Sequence, residues 1–191
     1  MDKADYKGGS TWDRVFSQRL AMSAGWDSDS TFEFTWTGEN STEARQLGGT
    51  ELANALMSDD NPFKDDKHAT LIGHSHGGNV NKEAKNILEE NGWTVDIINI
   101  ATPQRTDHET NKSESGVYVN FYNNNDAVQY AGAKPKTAKD GARKDSNAQV
   151  NKEIDPSLLS WFGSSGGHSY HQNSSAQRQM EKAVKKAFKE K

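Results

Sequence analysis

Apolar positions along this chain follow two rhythms, one of two residues and one of three to four. Thr31-Phe32-Glu33-Phe34-Thr35-Trp36-Thr37 alternates strictly and is rich in aromatic and β-branched residues, which predicts a strand. Val117, Val119 and Phe121 alternate in the same way, and a short strand is expected between Ala148 and Ile154. Ala69, Leu71 and Ile72 form a brief apolar run. Val95, Ile97, Ile98 and Ile100 are nearly continuous, as in a strand covered by helices on both faces. Helical spacing appears between these runs. Trp12, Val15, Phe16, Arg19 and Leu20 predict a helix capped by Ser10 or Thr11 and ending near Gly25. A second helix, Thr42 to Met57, sets Ala44, Leu47, Leu52 and Leu56 on one side; its interrupting Gly48 and Gly49 point to close packing on the sheet. Val80, Ala84, Ile87 and Leu88 mark a third, stopped by Asn91-Gly92. Met180, Val184 and Phe188 mark the last, capped by Ser174 or Ser175.

Strands alternating with helices imply a mostly parallel sheet inside a three-layer α/β domain that takes up residues 1–191, with no internal repeat and no second domain. Met1 to Ser10 and Ala131 to Gly167 are polar and irregular and read as loops. Only 32% of residues are hydrophobic and the mean hydropathy is −0.98, which for a chain of one-domain size predicts unusually polar surfaces and loops. A net charge of −4 gives no case for nucleic acid as a partner. The absence of cysteine rules out disulfides and thiolate metal sites. No apolar run has the length of a signal peptide or a membrane span. The expectation is a protein made in the cytoplasm and, if it leaves the cell, carried by a dedicated secretion system.

Gly73-His74-Ser75-His76-Gly77 follows the Ala69–Ile72 run and opens onto the Val80–Leu88 helix. The bare pattern G-x-S-x-G arises by chance in roughly one of twenty chains of this length. Strand, sharp turn and helix around it are what make it a nucleophile elbow. Such a turn strains the serine backbone and needs near-side-chain-free neighbours, here Gly73 and Gly77, with Gly78 giving extra room. A serine nucleophile needs a base, and the base an orienting carboxylate. Asp126, in Asn123-Asn124-Asn125-Asp126 just past a strand, is the candidate carboxylate. His168, after Gly166-Gly167, and His171 compete for the base; the glycines favour His168 because they let its loop approach the elbow. The first oxyanion donor is expected at the backbone N–H of His76. His74, beside the nucleophile, is a candidate substrate contact. Leu158, Leu159, Trp161 and Phe162 stand out in a polar stretch and read equally as a lid or acyl-chain surface and as a cluster covering the sheet edge. Arg105 reads as a surface salt bridge ahead of a head-group contact.

The elbow, the Asn120-Phe121-Tyr122-Asn123-Asn124-Asn125-Asp126 run and Gly167-His168-Ser169 before the final helix resemble a serine lipase or esterase of the α/β-hydrolase family, over nearly the whole chain. More narrowly, Phe34-Thr35-Trp36-Thr37-Gly38-Glu39-Asn40-Ser41 followed by Gly73-His74-Ser75-His76-Gly77-Gly78 is similar to lipase-like domains of bacterial polymorphic toxins and secreted antibacterial effectors. The resemblance implies a cofactor-free triad acting on lipid or phospholipid acyl esters, with transient contact at a membrane surface and an immunity-type inhibitor protein as partner. One departure matters. The family draws half its oxyanion hole from the loop after an early strand, often with His-Gly, and no such strand precedes the first helix here. Either early strands are missing, to be completed by an upstream segment, or Lys7 to Ser10 supplies the second donor.

Two rival readings remain. His74 and His76, two apart, would share one face if they lay on a strand, and with His68, His108, His168 or His171 would suggest a metal hydrolase; the glycines around them suit a turn better. Alternatively the chain is a catalytically impaired binding module whose last helix, with Arg178, Lys182, Lys185, Lys186 and Lys189, docks an acidic partner or an anionic membrane surface. Lysines flanking an apolar stripe also suit a solvated helix face.

Overall fold

The computed structural model describes residues 14–110, 116–134, 143–154 and 168–190. Four strands form one sheet: β1 (His68–His74), β2 (Thr94–Ile100), β3 (Tyr118–Tyr122) and β4 (Val150–Glu153). They lie in chain order and every neighbouring pair is parallel. His68 pairs with Thr94, Ile97 with Tyr118 and Val119 with Val150. Helices cover both faces, as a parallel sheet with apolar residues on both sides requires.

On one face, α1 (Arg14–Ser23) packs against α5 (Ser174–Lys189). Phe16 and Leu20 of α1 and Met180 and Val184 of α5 are fully buried against Ile98, Ile100, Val119 and Phe121. Arg19 fastens the pair, donating Nε–H to Glu181 at 2.7 Å. The chain leaves α1 through Gly25, whose φ of +99° favours glycine. The expected caps Ser10 and Thr11, with Trp12, lie outside the described residues, and Val15 is exposed.

On the other face, α2 (Thr42–Met57) packs on α3 (Gly77–Glu90). Leu52, Ala53, Leu56, Val80, Ala84 and Leu88 close over Leu71 and Val95. Ser41 caps α2 by accepting from Ala44 N at 3.1 Å. Two expectations for α2 are corrected. Leu47 is exposed, because the buried stripe runs through Ala44, Gly48, Leu52 and Leu56. Gly48 and Gly49 pack on Trp36 and on α3, not on the sheet: a Cβ at Gly49 would overlap Glu83 Cβ and stand 3.0 Å from Ala84 N.

The expected strand at Thr31–Thr37 is not formed. The segment runs outside the sheet, with Phe32 exposed while Phe34 and Trp36 pack on the α2–α3 cluster. Alternation marks a chain suited to a pleated surface; pairing needs a neighbouring edge as well, and this segment stands off from one. The last helix is capped by Asn173, which accepts from Ser175 N and Ala176 N, and not by Ser174 or Ser175.

The interior is more polar than expected. Lys82 and Asp145, both nearly fully buried, form an ion pair at 2.5 Å, and Asp145 also accepts from the buried Tyr118 hydroxyl at 2.7 Å. Asn81, Asn99 and Asn120 are buried around this network. The low hydropathy therefore belongs to the core as well as to the surface. No helix among the described residues is long and apolar enough to cross a membrane.

Candidate active site

β1 ends at His74 and α3 begins at Gly77, so Ser75 occupies the turn between strand and helix. Its φ is +54°, in the left-handed region that non-glycine residues rarely adopt. Two backbone bonds hold it there: Ser75 N donates to Ile100 O at 2.9 Å, and Ser75 O accepts from Gly78 N at 3.1 Å. The strain is thus fixed by the sheet on one side and the first turn of α3 on the other. Two glycines are needed for space. A Cβ at Gly73 would stand 2.5 Å from Asn81 Nδ2, and one at Gly78 would overlap Thr102 Oγ1. At Gly77 a Cβ would meet nothing within 4 Å, so the expected demand there is corrected: the tight position is Gly78.

Asp126 follows β3 and is fully buried. Asn123 shapes the turn, its Oδ1 accepting from Asn125 N at 2.7 Å. The two oxygens of Asp126 take different tasks. Oδ1 caps the short helix α4 (Ala127–Gly132) by accepting from Gln129 N at 2.7 Å, and Oδ2 accepts from His168 Nδ1 at 2.9 Å. A carboxylate partner makes Nδ1 the protonated nitrogen of neutral His168 and leaves its Nε2 lone pair available.

His168 is held at the carboxyl end of the sheet from two directions. Its carbonyl accepts from His74 Nε2 at 3.0 Å, and the two rings lie 4.7 Å apart. Two residues on, Tyr170 is buried and its hydroxyl joins β2 to β3, accepting from Ala101 N at 3.0 Å and donating to Phe121 O at 2.8 Å. His171 lies against His74, the two rings tilted by 48° with centroids 4.1 Å apart. Of the two candidate bases, His168 is the one that meets Asp126. Among the described residues no hydrogen bond reaches the Ser75 hydroxyl. Such contacts commonly tighten only around a bound substrate.

Comparison with protein families, curated proteins and solved structures finds no match. The chemistry has to be read from the residues themselves.

His76 heads α3 and its N–H has no protein acceptor among the described residues, as an oxyanion donor requires. Its ring is hemmed in by cations. Burial, followed by Arg45 and Arg105, pushes its pKa down to about 4, so the imidazole is neutral at pH 7. Burial, followed by His171 and His168, lowers that of His74 to about 3. Arg45 is itself buried, donating Nε–H to His108 Nε2 at 2.9 Å and Nη1–H to Asn40 Oδ1 at 3.1 Å. His108 passes the contact on to Glu83 Oε1 at 2.7 Å. Arg105 forms the expected salt bridge, two-pronged to Asp107 at 2.7 and 2.8 Å. Burial pushes the Asp107 carboxyl up, but hydrogen bonds from Arg105 and Thr42 and the Arg105 charge outweigh it and hold Asp107 well below the usual carboxylate range.

Three histidine rings do cluster, His74 lying against His168 and His171, but His74 Nε2 is committed to the His168 carbonyl and His168 Nδ1 to Asp126. His74 and His76 flank the turn instead of sharing a strand face, His68 pairs with Asp96 at 2.7 Å and His108 lies between Arg45 and Glu83. Among the described residues no group of three His, Asp or Glu side chains could hold a metal ion. Leu158, Leu159, Trp161, Phe162 and Lys7 to Ser10 lie outside the described residues. Tyr170 and Arg45 escaped sequence reasoning, while Asn40 entered it only within a motif and His108 only as a candidate metal ligand. The tasks of Tyr170 and His108 are set by partners distant in the chain.

Proposed function

We propose that this chain is a serine hydrolase of carboxylic esters with an α/β-hydrolase-like organisation. The observation that carries the reading is the buried Asp126–His168 hydrogen bond at the carboxyl end of the same sheet whose first strand ends in a strained Ser75. In the reaction His168 Nε2 takes the proton from Ser75 Oγ as that oxygen attacks the ester carbonyl. The tetrahedral oxyanion is met by His76 N–H, and Asp126 stabilises the imidazolium. His168 then gives its proton to the departing alcohol, leaving an acyl-serine. Water, deprotonated by the same histidine, releases the acid and restores the serine. His74 acts on the histidine rather than on substrate, fixing its backbone. Lipid or phospholipid acyl esters as substrates, an antibacterial role and an immunity-type inhibitor come from the resemblance to effector lipases.

The test is covalent labelling with a fluorophosphonate probe. The native chain should label, and Ser75→Ala should remove the label entirely. A native chain that stays unlabelled while folded, or a Ser75→Ala variant that labels equally, would overturn the reading. A series of p-nitrophenyl esters of rising acyl length then sets the chain preference.

A further inference from the structure

Arg45 is a buried charge with no carboxylate of its own. It lies on α2 at 1% exposure, and among the described residues it forms no ion pair. A guanidinium sealed from water needs a compensating partner. Its acceptors are lone pairs instead. Nε–H goes to His108 Nε2 at 2.9 Å and Nη1–H to Asn40 Oδ1 at 3.1 Å, while Nη2 donates to no described residue. The acids nearby are committed elsewhere. Asp107 is held by Arg105, Thr42 and, at 3.8 Å, Lys134, and Glu83 by His108. Glu43 sits two residues before Arg45 on α2, a spacing that puts it on a different face of the helix. The same guanidinium is set against the reactive turn. Nη1 stands 3.5 Å from Nδ1 of His76, the residue after Ser75. Arg105 lies close to the same ring: its Nη1 donates to Gly132 O, and a Cβ on Gly132 would stand 3.5 Å from His76 Cε1. Both arginines act on His76 in one direction, and no acidic group offsets them. On its other side Ser75 meets apolar surroundings. A groove of about 660 Å³ runs from Ser75 and His76 along β1, walled by Phe34, Trp36, Leu52 and Leu56.

We propose that Arg45, with Asn40, receives a negatively charged group of the substrate, so that the ester opened at Ser75 carries an anion on its alcohol side. Asn40 is exposed and contributes Nδ2–H, because its Oδ1 is taken by Arg45. A guanidinium edge beside an amide N–H is a donor set that oxyanions accept from readily. The apolar groove suits the acyl side and leaves the cationic corner to the alcohol. A phosphate on that alcohol supplies the charge that Arg45 lacks. The choice of substrate rests on the serine-hydrolase reading, whereas the anion site stands without it.

Inorganic phosphate is the first probe, titrated into the full chain and followed through the backbone amide resonances of residues 40–45 and 76. Saturable shifts are expected there, and Arg45→Gln should weaken binding about tenfold or more. Asn40→Asp sets a carboxylate where Arg45 Nη1 now meets an amide oxygen, and so supplies from within the charge that a ligand would bring. It should weaken phosphate at least as much with no fall in melting temperature, which keeps the test open should Arg45→Gln not fold. Absent shifts, or shifts that both variants leave unchanged (an adventitious ion only), would overturn the site. The second probe is a pair with the same reactive ester, 1-hexanoylglycerol 3-phosphate and 1-hexanoylglycerol. The native chain should prefer the phosphate-bearing ester about tenfold or more in kcat/KM, and Asn40→Asp should collapse that ratio. A merely structural change slows both esters together and leaves the ratio alone. Equal kcat/KM for the native pair would leave the site to free phosphate and overturn the anionic substrate. A chain that hydrolyses neither ester and still binds phosphate through Arg45 contradicts the hydrolase reading alone and supports the anion site.

Discussion

Asp126 carries two obligations on two oxygens, and they can be separated by one substitution. Asparagine is a good helix cap, so Asp126→Asn keeps the bond from Gln129 N and with it the start of α4. What it loses is the negative charge against His168 Nδ1. Fluorophosphonate labelling of Asp126→Asn is expected to slow by roughly a thousandfold or more, with the melting temperature little changed. Equal labelling rates would mean that the carboxylate serves the fold alone. At this scale the sequence was most legible where local chemistry decides. Ser75 and Asp126 sit in turns whose glycines and asparagines announce them. The choice between His168 and His171 was readable only through glycines, whereas the structure settles which one meets Asp126. Tyr170 was unreadable, since its hydroxyl is spent on the main chain of Ala101 and Phe121, far away in sequence.

The helices show how a pattern can be right about an element and wrong about its neighbour. α2 was expected over its full length, yet its glycines meet α3, because a helix face does not say which surface it touches. A methyl group separates the two kinds of glycine in the α2–α3 layer. Gly49→Ala should cost on the order of 1–3 kcal/mol, since its Cβ would run into Glu83 and the α3 backbone. Gly77→Ala should fall within about 0.5 kcal/mol of the native chain, because nothing lies within 4 Å of its Cβ. Thermal or urea denaturation of the pair decides this, and equal losses would contradict the packing described. Lys82 and Lys85 mark a different limit. Hydropathy places lysine at the surface, whereas burial of Lys82 is allowed by Asp145 and Gln104, partners brought in from other elements.

Across the whole molecule, the two imidazoles flanking Ser75 tie stability to acidity. His74 and His76 are held neutral, their pKa values lowered from 6.5 to about 3 and about 4. In the unfolded chain they protonate near 6.5, so between that pH and the lowered values the unfolded state binds more protons. Stability from this source is complete above about pH 6.5 and drains as the pH falls towards 4 for His76 and towards 3 for His74, by an amount on the order of a few kcal/mol. Urea titrations at pH 7 and 4.5 should show the loss, and His74→Gln should flatten it; an unchanged slope would place the acid sensitivity elsewhere. The layered α/β form was legible because its runs of apolar residues are long, while the standing apart of Thr31–Thr37 was not, because propensity is silent about partners. The strand order has one more consequence. Each strand pairs with the one made just before it, so a ribosome can lay the sheet down as it goes. Ser75 emerges early, then Asp126, and His168 last of all. On the proposed reading, a chain made only as far as β4 carries its nucleophile without its base, so the chemistry waits on the residues that follow.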